Sequence, residues 1–154
     1  MIYIVVGDAP VEDAMEEVST VLADHPEAFV VCINMAYLRV PCHVIASLHH
    51  AVYDHALYVK GFDGALILSG GARLDMGMPP LDGISEPCSG GSGLAAVEWC
   101  LSQPDCERVV VCNTWLIDDY QIFADAWRRE LERFSDKVQT TSKPLQRLLS
   151  AYKG

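Results

Sequence analysis

Two periods alternate along the chain. Residues 2–6, IYIVV, are apolar without interruption, as expected of a strand covered on both faces. Beyond the turn at Gly7, Val11, Ala14, Met15, Val18, Val21 and Leu22 recur at helical spacing, with Glu12, Asp13, Glu16 and Glu17 on the other side. AFVVCIN (28–34), HVIASL (43–48) and GALILS (64–69) predict three more buried strands, with a helix over about 50–59 between the last two. A helix in SGLAAVEWCLSQ (92–103) precedes a fifth strand at RVVVCN (108–113). Tyr120, Phe123, Ala124, Trp127, Leu131 and Phe134 then mark an amphipathic helix. A short strand near KVQT (137–140) and a helix after Pro144 close the chain.

Buried strands separated by helices imply a parallel sheet covered on both faces. Right-handed crossovers make it an open, doubly wound α/β sheet in three layers, α/β/α. The expectation is a single domain over 1–154, with no internal repeat. Such sheets take ligands beyond the C-terminal ends of their strands, where strand order reverses. That edge gathers the loop after the first strand (Gly7, Asp8, Ala9, Pro10), Asn34 after the second, and the small-residue cluster Ser89, Gly90, Gly91, Ser92 and Gly93. The stretch 70–90 is rich in Gly and Pro, and its length predicts a flexible lid beside the pocket.

Composition narrows the functional classes. At 154 residues and 51% hydrophobic, the chain can bury a sizeable core and is no solvated spacer. A net charge of −10 argues against non-specific nucleic-acid binding, while leaving room for a nucleotide held by local backbone donors. Cys32, Cys42, Cys88, Cys100, Cys106 and Cys112 show no Cys-x-x-Cys spacing. They read as free, mostly buried thiols of a reducing cytoplasm. The opening MIYIVVGDAP has no basic leader and reads as a strand, and no apolar run is long enough for a membrane span.

Candidate chemistry lies at three places. A helix N-terminus left open at Ser89–Gly93 would suit an anion, by its unpaired N–H groups and serine hydroxyls; a serine-capped helix explains the same residues. SLHHAVYDH (47–55) sets His50 and Asp54 four apart on one helix face, with His55 adjacent. A working histidine fits this stretch better than a metal site, since His-Glu-x-x-His is absent; solvated surface histidines are the plain alternative. After the fifth strand, Asn113 and Thr114 stand where such sheets present ligand-contacting groups, while Asp118 and Asp119 suit a helix cap. Asp8 could shape its turn, bind a cation or contact a ribose hydroxyl. VVGDAPVEDA lacks the Gly-x-Gly-x-x-Gly dinucleotide fingerprint, and no P-loop, nucleophile elbow or zinc signature occurs.

In order, GDAPVED, VVCINMAYLRVPCHVIASL, HHAVYDHAL and GGSGLAAVEWCLSQPDCERVVVCNTWL resemble one Rossmann-like family. It includes sialyltransferases of glycosyltransferase family 42, archaeal 6-hydroxymethylpterin pyrophosphokinases and related phage proteins. The tail VQTTSKPLQRLL is similar to that family's closing strand and turn. The resemblance implies a cytoplasmic, nucleotide-binding transferase, with a nucleotide or nucleotide-sugar on Gly7–Pro10, Asn34 and Ser89–Gly93. His50 or His55 would be its acid or base, beside Asp54. No resident cofactor is implied; a divalent cation such as Mg²⁺ would arrive with the nucleotide. Two departures touch the chemistry: GDAP replaces an Asn-Gly-Pro turn, and Leu48-His49 stands where the family carries an acid. A nucleotide-sequestering or host-interaction protein of a phage, and a hydrolase of nucleotide N-glycosidic bonds, are the rival readings. Association into homo-oligomers is open.

Overall fold

The apolar runs form five of the six strands, and the short VQT segment forms the last. They are β1 (Ile2–Val6), β2 (Phe29–Ile33), β3 (Val44–Ser47), β4 (Ala65–Leu68), β5 (Arg108–Cys112) and β6 (Val138–Thr140). The computed structural model describes residues 1–8, 14–47, 49–62, 65–68, 91–113, 127, 129, 135–142, 145–147 and 150. All five neighbouring pairs are parallel, in the order β4-β3-β2-β1-β5-β6. Strand order therefore reverses between β1 and β5. This is the Rossmann-like, three-layer α/β/α architecture that the alternating periods imply.

Alternation along the strands separates the two core faces, because successive side chains point to opposite sides of a sheet. Tyr3, Val5, Val31, Ile33, Val44, Ala46, Val109 and Val111 point one way. They pack against Leu94, Ala96, Val97 and Cys100 of the helix α3 (Gly91–Ser102), and against Trp127 and Leu145. Ile2, Ile4, Val6, Val30, Cys32, Val110 and Cys112 point the other way, onto Ala14 and Val18 of α1 (Ala14–Asp24). Each fully buried valine or isoleucine contributes about 1.5–3 kcal/mol, so this double-sided coverage outweighs any single polar contact. On α1, Glu16 is exposed, as its spacing predicts, whereas Glu17 is half-buried, with one carboxylate oxygen enclosed near Cys112.

Three departures from the periodic reading concern the segments that leave the strands. Asn34 does not extend β2. It opens a 3₁₀ turn over Asn34–Leu38 that descends the α1 side of the sheet. The helix expected over 50–59 is α-helical only as α2 (His50–Asp54) and continues as a π turn over His55–Val59. Lys60 N–H donates to His55 C=O at 3.1 Å, and Gly61 ends the helix at φ 63°, a left-handed position that glycine takes without strain. Finally, α3 (Gly91–Ser102) already includes Gly91, so Gly91, Ser92 and Gly93 form its first turn and not a loop before it. Weak helix formers are tolerated there because first-turn N–H groups have no intrahelical acceptor to align with. The stretch 70–90 lies outside the described residues. The expected helix around 120–134 is described only at Trp127 and Arg129, both helical.

Candidate site at the strand-order reversal

The edge where β1 meets β5 is closed by backbone and side-chain bonds. Gly7 N–H donates to Cys112 C=O at 2.8 Å, and Asn113 Nδ2 donates to Gly7 C=O at 3.1 Å. Asn113 is buried and holds φ 50°. Asn34, at the end of β2, holds φ 52°. Left-handed backbone costs most residues roughly 1–2 kcal/mol, and asparagine bears it best among residues with a side chain. Two such residues therefore flank the end of β1. Their conformation turns the chain sharply off each strand and keeps both amides at the sheet edge. Strained positions of this kind concentrate at functional sites.

Asn34 is the hub of a polar cluster. Its Nδ2 donates to Asp8 Oδ2 at 3.0 Å, and its Oδ1 accepts from Ser47 Oγ at 2.6 Å and from Ser92 Oγ at 3.1 Å. Ser47 Oγ in turn accepts the N–H of His49 at 2.9 Å. Four segments distant in sequence are thus tied together: the turn after β1, the end of β2, the end of β3 and the first turn of α3. Ser47 and Ser92 are both buried, while Asp8 is half-buried. The arrangement fixes the Asp8 carboxylate beside the start of α3, where backbone N–H groups and the positive end of the helix dipole lie. Chemically, that edge offers a carboxylate acceptor next to a set of amide donors. A polyhydroxylated or phosphorylated small molecule can use both.

The histidines divide. His49 is exposed at the C-terminal edge, its amide held by Ser47. His50 opens α2, and its side chain lies outside the description. His55 is five residues further along, about 8 Å down the helix axis. Its Nδ1 is hydrogen-bonded to the Tyr37 hydroxyl, and the rings meet edge-on at 6.1 Å. Phe62 flanks Tyr37 at 6.0 Å, and burial pushes the Tyr37 phenol above its ordinary pKa. His55 is thereby fastened to Tyr37 of the 3₁₀ turn that begins at Asn34, and none of its described hydrogen bonds or ring contacts joins the Asn34 cluster itself. Asp54 also belongs to α2 and half-faces solvent.

Of the residues the sequence nominates, the structure brings Gly7, Asp8, Asn34, Ser92 and Asn113 to one edge. Gly91 and Gly93 belong to the first turn of α3 on that edge. Ala9, Pro10, Ser89, Gly90 and Thr114 lie outside the described residues. Ser47 and Tyr37 were not singled out, although a serine ending the apolar run of β3 is a legible signal for the former. Among the described residues no group of three or more His, Cys, Asp or Glu side chains could hold a metal ion, and no helix is long and apolar enough to cross a membrane. The described cysteines are free, with Cys32, Cys100, Cys106 and Cys112 buried.

Compared with known proteins, the chain matches no family model, no curated protein and no solved structure. What the fold supports of the sequence resemblance is its Rossmann-like architecture, which is consistent with a nucleotide-binding enzyme in general.

Proposed function

We propose that this chain binds a nucleotide or nucleotide-sugar across the β1/β5 edge and uses it as the donor in a transfer reaction. The observation that carries this reading is the Asn34 cluster, which ties Asp8 and the first turn of α3 to the place where Rossmann-like sheets take their ligands. In this reading the phosphates sit on the N–H groups at Ser89–Gly93, and Asp8 takes a sugar hydroxyl or a divalent cation carried in by the phosphates. Asn113 and Thr114 line the β5 side. The donors at the helix start stabilise charge on the departing phosphate. His50, at the head of α2, is the histidine best placed to act as acid or base. The role of His55 and Asp54 is reduced to support, because His55 is committed to Tyr37.

The same engagement of His55 favours a second reading, a protein that holds the nucleotide without turning it over. A thermal-shift screen against nucleotides and nucleotide-sugars, with and without Mg²⁺, tests binding. A ligand at a hundred times its Kd stabilises by about 2.7 kcal/mol. Ser92→Ala should weaken the affinity of a hit by about 0.5–1.5 kcal/mol, and Gly91→Val should abolish it by placing a branched side chain against the anion. If no nucleotide shifts the melting curve, or both variants bind as wild type does, the reading fails. Product formation from a bound nucleotide then separates transferase from sequestering protein.

A further inference from the structure

One layer of the fold combines the most exposed apolar side chains with the least acidic stretch of the chain. Among the described residues, Tyr58 (81%), Val59 (67%) and Leu38 (49%) are the most exposed large apolar side chains. They stand on two turns joined through Tyr37, which bonds to His55 and lies 6.0 Å from the ring of Phe62. Between Glu27 and Asp63 the sequence holds only Asp54 of its 21 acidic residues, together with Arg39, Lys60 and four of the five histidines. Arg39 and Lys60 are exposed and directly follow Leu38 and Val59. In a chain of net charge −10, this apolar patch with a basic border is set apart from the rest of the surface.

α1 lies on the same face of the sheet. It packs on Ile4, Val6 and Cys32. Val52 of α2 and Ala56 of the π turn pack on Ile45, which pairs with Cys32 in the parallel ladder and points the same way. The outward side of α1 has the opposite character to the patch. Met15 is 41% exposed, Ser19 and Ala23 follow it one and two turns on, and Glu16 and Asp24 are exposed beside them. An acidic helix with an apolar stripe and a basic, apolar patch therefore share one layer.

We infer that two copies of this chain associate through this layer about a twofold axis, with α1 of each copy covering the Leu38, Tyr58 and Val59 patch of the other. An axis running along the strands, between the two halves of the layer, exchanges left for right and sets α1 opposite the patch twice. The acidic side of each α1 then meets the basic border of the other copy. A patch-on-patch contact would bring two basic borders together, and contact through other surfaces would oppose two acidic ones. A stable interface takes about 800 Å² and roughly 20–30 residues a side, which three side chains cannot supply; a contact made twice buries both surfaces of both copies. The same axis leaves the C-terminal ends of β1 and β5 uncovered, at one end of the dimer.

Sedimentation equilibrium of the whole chain, at up to about 100 µM, should show a monomer–dimer equilibrium that ends at the dimer. Tyr58→Glu, Lys60→Glu and Glu16→Lys, all at exposed positions, should each raise the dimer Kd at least about tenfold. Mixing Lys60→Glu with Glu16→Lys should restore association. In the mixed pair one contact is native and the other has both charges exchanged, whereas each variant alone opposes like charges twice. The proposal is overturned if the wild type stays monomeric, which leaves the patch to a different protein, or if it grows past the dimer. It is equally overturned if any of the three variants dimerises as the wild type does, or if the mixture associates no better than its components.

Discussion

Replacing Asn34 tests the polar cluster and the strained backbone separately. Asn34→Ala removes three hydrogen bonds at once. Those from Ser47 and Ser92 are neutral, and each contributes about 0.5–1.5 kcal/mol. The bond to Asp8 involves a charged acceptor, but Asp8 is half-exposed and solvent screens it, which puts it near the low end of about 1.5–3 kcal/mol. The side-chain loss is therefore about 2.5–4.5 kcal/mol, much of it the cost of leaving two buried serine hydroxyls to find new partners. Alanine at φ 52° adds about 1 kcal/mol of left-handed backbone strain, which Asn34→Gly avoids. Glycine should thus be the milder of the two, though both remove the same bonds. Asn34→Asp keeps the shape and the acceptor but turns the donor facing Asp8 into a second carboxylate about 3 Å away. Two such charges repel, so its penalty is full at neutral pH and lifts on acidification, when a shared proton restores the bond. Urea denaturation of the three variants, at pH 7 and at pH 5, gives the comparison. Alanine and glycine variants of equal stability would refute the backbone argument. Losses below about 1 kcal/mol in both would refute the cluster as a structural hub.

Burial pushes the Cys112 thiol up to about 11, so its contribution to stability is complete below its unfolded value near 9 and is lost as pH rises through 11. Chemical denaturation between pH 8 and 11 should show a decline of which about 2–3 kcal/mol disappears in Cys112→Ala; an unchanged slope in the variant would contradict the burial assignment. Tyr37→Phe removes the bond to His55 and should cost about 0.5–1.5 kcal/mol of stability while leaving nucleotide affinity unaltered. A loss of affinity larger than the loss of stability would return His55 to the site.

Strands β1 to β5 were legible because each is an almost wholly apolar run, and only a two-sided cover accommodates such a run in a folded chain; β6, VQT, is short and half-polar. Ile2–Val6, Phe29–Ile33 and Arg108–Cys112 fall within a residue or so of the expected limits. The parallel, three-layer class follows from strands that alternate with helices. The candidate edge follows from the class, which is why Gly7, Asp8, Asn34, Ser92 and Asn113 could be nominated from their positions alone. Local irregularity was not legible. The π turn at His55–Val59 conforms to the same apolar spacing as an α-helix until its hydrogen bonds are seen.

The sequence by itself determined which segments are strands and which of their ends gather at the strand-order reversal, since both depend on local hydrophobic period and on chain connectivity. Only the tertiary structure decided which polar groups meet there. The bonds that join Asn34 to Asp8, Ser47 and Ser92 span 26, 13 and 58 residues, and no periodicity records a contact of that range. It also decided that His55 meets Tyr37, a contact between residues 18 apart in sequence. Hydrophobic pattern is written residue by residue along the chain, whereas a site depends on the register of strands brought together from distant positions.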